Sequence, residues 1–541
     1  MILLPLLLSC TPAVPDDLPE HTVAFAGDIL LGRRLNTALH DPAAREQILS
    51  EVAPLFQAAD LAVVNAEGVI ALGGDFNDKG EPRPHMYRAH PYAIDLLAGS
   101  GIDVVTVGNN HSNDYGPDAL TEMLDRVRIA GMDYAGGGHN LEDAKTPAYV
   151  TVGDTVVAIV GGDLTATRNH NATKKRAGTL LVNGMNPKLE DRVVAVYSKI
   201  LDEARAHAHV VLLSPHWGEN MKGEPTALTR SLARRLIRAG YDGILGHSAH
   251  WMQGIELIDG RPVLYDAGNL AIDYSTGDPN STTSVFTLTF TQAGITSVRA
   301  TPIHLKANRT RLATGTTAAS IRERLTEQSA ALGTPLRAEG GDLVLDCDPG
   351  RLYLPDSPPP ERPVPAAPRL AETGRIFDTL PPDATPIDVR WSNGISLVGY
   401  SVLLDKLPTP KAGNIVDLYW RIEEPLEDAL MIRINSQQLQ DGRRSARATY
   451  DHIPGDWMLP ATAWPVGKII RDRSLIRLKF TPEGDVETWV GLRGARSALI
   501  PEHPVPDPTS RSKDLVLLHT ATYTQGSARL FDVLDGQRAE D

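Results

Sequence analysis

Asp103-Val104-Val105-Thr106-Val107-Gly108-Asn109-Asn110-His111-Ser112-Asn113-Asp114 passes without a break from a β-branched apolar run to a polar one. The first half predicts a buried strand, because β-branched side chains pack well on a pleated surface. The second half is costly to hold against the end of that strand unless something binds it. A strand that runs into a ligand-capable loop is what an open α/β sheet presents at the carboxyl ends of its strands.

The same arrangement recurs along the chain. The run Thr22–Ala26 leads into Gly27-Asp28-Ile29-Leu30-Leu31-Gly32-Arg33, and Leu61–Val64 into Asn65-Ala66-Glu67-Gly68. Further on, Val210–Ser214 is followed by Pro215-His216-Trp217-Gly218, and Gly243–Leu245 by Gly246-His247-Ser248-Ala249-His250. Any one of these reads as a turn or as a structural histidine; five polar strand ends together point to one site. Helices are predicted at Pro117–Ala130 and Ala227–Ala239, where apolar residues recur on one face before Gly131 and Gly240 stop them. Strands alternating with helices predict a layered α/β domain.

Asp28, Glu67, Asn110, His216, His247 and His250 offer oxygen and nitrogen ligands suited to a divalent metal, with Mn, Fe, Zn and Mg not distinguished. The set serves two octahedral-leaning ions, or one ion with open positions. Two ions ~3.5–4 Å apart would activate water and clamp an ester. His111 then suits a proton donor to the leaving group and Asp114 an orienting partner for its ring.

The chain has 541 residues, too many for one ordinary core. Its 53 Lys and Arg against 67 Asp and Glu give a net charge of −14, which excludes a general electrostatic attraction to nucleic acid. An anionic ligand must be held locally, and the expected substrate-binding residues are Arg33, Asn65 and Arg88, the last in the loop Arg83–Arg88. The only cysteines are Cys10 and Cys347, so a disulfide framework is excluded; Cys347 reads as a small buried hydrophobe. Met1-Ile-Leu-Leu-Pro-Leu-Leu-Leu-Ser-Cys10 is too short to span a bilayer and matches a bacterial lipobox. Lipidation at Cys10 would make the chain an exported lipoprotein anchored to a membrane at the cell surface or periplasm; the alternative is an ordinary signal peptide with an incidental cysteine.

The expected organisation is a lipoprotein signal and tether at 1–20, the α/β domain at 21–310, and an appended helix and strand segment at 311–354. A stiff Pro-rich linker follows at 355–375, then a β-sandwich at 376–535. Five tryptophans, Trp391, Trp420, Trp457, Trp464 and Trp489, fall in that last region and read as sandwich core in preference to a sugar-stacking surface.

In order and spacing, the five blocks and the tail from Gln253-Gly254-Ile255-Glu256 through Gly260-Arg261-Pro262 to Gly268-Asn269 resemble the CapA family of poly-gamma-glutamate capsule biosynthesis proteins, itself similar to the calcineurin-like metallophosphatases. The resemblance spans about residues 22–310. It implies a metallophosphatase-like fold and a role in making, exporting or anchoring an anionic surface polymer, with a capsule-synthesis membrane complex as partner. Two classes of activity follow. One is a metal-dependent hydrolase of a phosphoester or of the polymer; the other is a non-catalytic component that binds the polymer. Leu30 stands where a metallophosphatase places a histidine, and His247 and His250 are three apart where the phosphatases space theirs by two. The sandwich segment His452–Trp457 resembles those beside bacterial membrane glycosyltransferases, as a sugar binder or a spacer.

Overall fold

Residues 18–532 are described by a computed structural model, except 78, 80–84, 166–168, 274–278, 351, 371–372, 404–413, 441–442, 477–483, 495–497, 500, 502–514 and 525–526. Cys10 lies outside the described residues. The chain divides into two units. One contains the residues up to Ala71 together with Pro91–Leu370, the other Leu72–His90 together with Ala371–Asp541.

The first unit is built on two sheets. In one, His21–Ile29, Leu61–Ala66, Val104–Thr106 and Asp133–Ala135 run parallel in that order. In the other, Thr155–Asp163, Val210–His216, Gly243–Leu245 and Arg261–Leu264 do the same. Side chains alternate along each strand. Val157 and Ile159 enter a core shared with Val23, Phe25, Val63 and Val104 of the first sheet. Their neighbours Ala158 and Val160 face the other way, onto Val193 and Tyr197 of the helix Glu190–Arg205 and Leu232 and Leu236 of Ala227–Ala239. Because both faces of this sheet are covered, its strands are apolar throughout. The helix Ala227–Ala239 starts where the Thr226 hydroxyl accepts the Thr229 N–H at 3.1 Å and ends at Gly240, whose φ of +127° suits a residue without a β-carbon.

The α/β domain runs further than the sequence suggests. Thr282–Thr291 pairs antiparallel with His21–Ile29, and Gly294–Lys306 with Thr282–Thr291. The segment expected as an appendage at 311–354 completes this sheet. Asp342–Asp346 pairs with Gly294–Lys306, and the helix Gly315–Ala331 contributes Ile321 and Leu325 to the shared core. The Pro-rich stretch is likewise no free linker up to Leu370. Arg362 bonds the carboxylates of Asp133 and Asp143 and the carbonyls of Tyr134 and Thr146, and its guanidinium lies 4.1 Å over the Tyr134 ring. Arg369 grips Asp125 with two bonds of 2.9 Å. Proline keeps the strap extended and the arginines fix it to the unit.

The second unit is a sandwich of two antiparallel sheets. One orders Ile376–Phe377, Ile469–Ile476, Asn414–Ile422, Ile395–Leu403 and Thr385–Arg390. The other orders Arg443–His452, Met431–Gln440, Gly484–Arg493, Val516–Thr524 and Ser527–Asp532. All five tryptophans are buried, with Trp391 and Trp420 in contact at 5.6 Å between ring centroids in the core. The architecture is thus the expected α/β domain followed by a β-sandwich.

Candidate metal centre

The site sits where the parallel strands of both sheets end. Gly27 is required there: a β-carbon on it would lie 2.0 Å from the Gly268 carbonyl oxygen, which instead accepts the Asp28 N–H at 2.9 Å. Asp28 is in register with Asn65 on one side and Asn269 on the other. His216 and His247 pair where their two strands end. Asp28, Glu67, His216, His247 and His250 are all buried.

The donors converge on Asp28. Its Oδ2 lies 3.1 Å from His250 Nδ1; its Oδ1 lies 3.7 Å from His247 Nδ1 and 4.0 Å from His216 Nδ1. Glu67 Oε2 lies 3.7 Å from His250 Nδ1, and Oε1 3.8 Å from His216 Nε2. Two overlapping groups, Asp28–His216–His247 and Asp28–Glu67–His250, each bring one ligand atom per residue within 4.8 Å of the others. Asn110 Oδ1 lies 2.9 Å from His216 Nε2 and can only accept, so that nitrogen carries the proton and Nδ1 presents its lone pair to the site. On the rim, His111 Nδ1 bonds Asp114 Oδ2 at 2.7 Å, and its Nε2 faces Glu67 Oε1 at 4.0 Å.

Electrostatics fit a cation. Burial pushes His216 well below its ordinary range and His247 down to about 4, so both rings are neutral with free lone pairs. Burial alone would raise Asp28, but the His250 hydrogen bond and the three imidazoles hold it below the usual carboxylate range. Burial also works against charge on His250, yet Glu67 and Asp28 together push it up to about 10. A proton on His250 thus supplies the positive charge that the two carboxylates demand. Facing ring nitrogens only 2.8 Å apart, on His216 and His247, complete a donor set of carboxylates and imidazoles suited to a divalent transition metal.

Most of the residues singled out from sequence come together here, but Asn65 and Arg88 sit differently from expectation. Asn65, expected on substrate, is fully buried: it donates to Asp28 Oδ1 at 2.7 Å and accepts from Thr106 and Asn109, so it orients Asp28. Arg33 is at the edge, 41% exposed, with φ +53° and Asp273 at 3.4 Å. Arg88 is corrected outright. It belongs to the second unit, where its side chain is 1% exposed and bonds Asp456 and the Gly73 carbonyl, a structural ion pair closed to substrate. Leu30 is buried and offers no ligand.

Sequence reasoning missed Asn269, whose Oδ1 lies 3.0 Å from His250 Nδ1, and Ser214, whose hydroxyl lies 3.1 Å from His247 Nε2. It also missed two buried acids, Asp163 and Asp266. Both end apolar runs, Val156–Val160 and Val263–Tyr265, so the signal that revealed Asp28 was present for them.

Residues 22–274 match the family described as bacterial capsule synthesis protein PGA_cap. The chain is 27% identical over 253 residues to the PGA biosynthesis protein CapA of Bacillus subtilis, covering 47% of this chain and 63% of that one. It is 28% identical over 253 residues to the capsule biosynthesis protein CapA of Bacillus anthracis, covering 47% and 60%. A probable polyglutamine synthesis accessory protein of Mycobacterium tuberculosis is 32% identical over 221 residues, 40% of this chain and 57% of its own length. The chain therefore spans less than two thirds of each of these relatives.

Proposed function

Because residues 22–274 belong to the bacterial capsule synthesis protein PGA_cap family, we propose that the first unit is a metal-dependent hydrolase that acts on a phosphoester or on an anionic surface polymer during capsule synthesis. The observation that carries this reading is the pair of overlapping ligand groups that share Asp28, with a His–Asp pair beside them. In this reading each group holds one ion. A divalent cation supplies Lewis acidity toward an ester or acyl oxygen. The chain's own residues do the rest. Asp28 stays ionised, His216 and His247 stay neutral, and Asn65 and Asn110 keep Asp28 and His216 turned inward. Asp114 fixes the His111 ring, leaving Nε2 to give a proton to a leaving group. Arg33, partly exposed at the edge, is placed to meet an anionic substrate.

The second unit extends the chain beyond the family match, and Cys10, in its lipobox, would tether the protein to a membrane. Among the described residues no helix is long and apolar enough to cross a membrane.

Mn²⁺-dependent phosphodiesterase activity of the full chain tests the hydrolase reading against His111→Ala. The expected loss is about 10²–10⁴-fold in turnover with metal content unchanged. A parent that binds metal and hydrolyses neither phosphoester nor polyglutamate would give the site a polymer-holding role instead.

A further inference from the structure

His247 and His250 share one loop but are held in different ways. His247 is tied into the sheet: its N–H bonds the Pro215 carbonyl at 3.3 Å, its own carbonyl takes the Trp217 N–H at 3.0 Å, and its Nε2 lies 3.1 Å from the Ser214 hydroxyl. His250 lies further past the end of the strand Gly243–Leu245. It sits at φ +62°, two residues after Ser248 at φ +116°, and residues with a β-carbon keep such conformations only when their surroundings impose them.

What imposes them is Asp266. Its Oδ2 accepts the Ala249 N–H at 2.5 Å and its Oδ1 the Gly268 N–H at 2.8 Å. Its carbonyl takes the Gln253 N–H at 3.0 Å. Gly268 in turn seats the Asp28 backbone, and the next residue, Asn269, bonds His250 twice, at ring Nδ1 and at the carbonyl, each at 3.0 Å. One carboxylate therefore joins the peptide just before His250 to the turn at Gly268, which bonds the Asp28 N–H and leads into Asn269. Asp266 is buried, and burial together with the neighbouring Asp28 charge pushes its carboxyl above the usual range, so its two backbone N–H bonds are what hold it there.

We infer that Asp266 is a positioning residue for His250, acting on the Asp28–Glu67–His250 group and not on the Asp28–His216–His247 group. The inference rests on the reading of the cluster as a metal centre. Without Asp266 the segment Ser248–His250 relaxes, and the His250 ring leaves its place 3.1 Å from Asp28 and 3.7 Å from Glu67, while His247 keeps its sheet contacts.

The test is a Mn²⁺ titration of the full chain, followed by calorimetry and electron paramagnetic resonance, for the parent, Asp266→Asn, Asp266→Glu and His250→Ala. The titration step that His250→Ala removes is expected to weaken about 10- to 100-fold in Asp266→Asn, with a changed Mn²⁺ spectrum. Asp266→Glu keeps the carboxyl group but displaces it, and is expected to weaken the same step, so either variant suffices if the other fails to fold. That step retained at parental affinity, whatever the unfolding temperature, overturns the inference and leaves the metal centre standing. A His250→Ala variant that titrates like the parent overturns it as well, and a parent that takes up no Mn²⁺ overturns both.

Discussion

Two buried clusters of acids and bases, one in each unit, show what separates a binding site from a structural knot. In the second unit the buried acids Asp417, Asp456 and Asp472 each meet an opposite charge or a donor. Asp417 takes two bonds of 2.6 Å from Arg473; Asp456 takes Arg88 at 3.3 Å and Arg375 at 3.2 Å; Asp472 lies 2.6 Å from His452 Nε2. The Ser474 hydroxyl lies on that same Nε2, at 3.1 Å, so Asp472, His452 and Ser474 form no relay through the two ring nitrogens. In the first unit two imidazoles face each other, His216 and His247, with their Nδ1 atoms 2.8 Å apart. Three imidazoles and the Glu67 carboxylate gather round Asp28, and among the described residues the groups able to hold a cation both lie there. The residue types are the same in the two clusters. What differs is that His216 and His247 turn ring lone pairs toward each other and toward Asp28.

That contrast can be broken from either side. The largest effect is expected from Asp28→Ala, which removes the residue common to both ligand groups. Mn²⁺ affinity should fall by more than about 100-fold, measured by calorimetry, since even outer partners of a metal site are worth 10–100-fold. Asp456→Ala should do the reverse. Leaving Arg88 and Arg375 buried without their acid is expected to cost about 3–5 kcal/mol in urea unfolding of the second unit, with metal content untouched.

Acidity sharpens the comparison further. Because His250 holds its proton up to about 10, metal must displace that proton, and Mn²⁺ affinity is expected to rise with pH by up to about tenfold per unit across the neutral range. A flat profile would show that His250 is no ligand. The last effect concerns His519, buried in the sandwich against Tyr400 and pushed by burial down to about 3. The folded unit binds that proton less readily than the unfolded chain, whose histidine titrates near 6.5. Its stability is therefore full above 6.5 and is lost as the pH falls from 6.5 toward 3, by up to about 1.4 kcal/mol per unit. His519→Phe should flatten that slope.

How much of this was readable beforehand follows from how local each signal is. An apolar run that stops at an acid, an amide or a histidine is written within about ten residues, so Asp28, Glu67, Asn110, His216, His247 and His250 could be named without a structure. The fate of Arg88 could not, because its partner Asp456 lies 368 residues away. The same holds for the strap: prolines announce an extended chain, but nothing near Arg362 says that Asp133 and Asp143 will receive it. Asn65 was legible as polar and at a strand end; only the register that sets it opposite Asp28 shows that it orients a ligand.

The most direct measurement is anomalous diffraction at the manganese edge from crystals of the full chain grown with Mn²⁺. Peaks are expected bounded by Asp28, His216 and His247 and by Asp28, Glu67 and His250, and none in the Asp28→Ala variant. Crystals saturated with Mn²⁺ that show no peak near Asp28, or show one only elsewhere on the molecule, would contradict it.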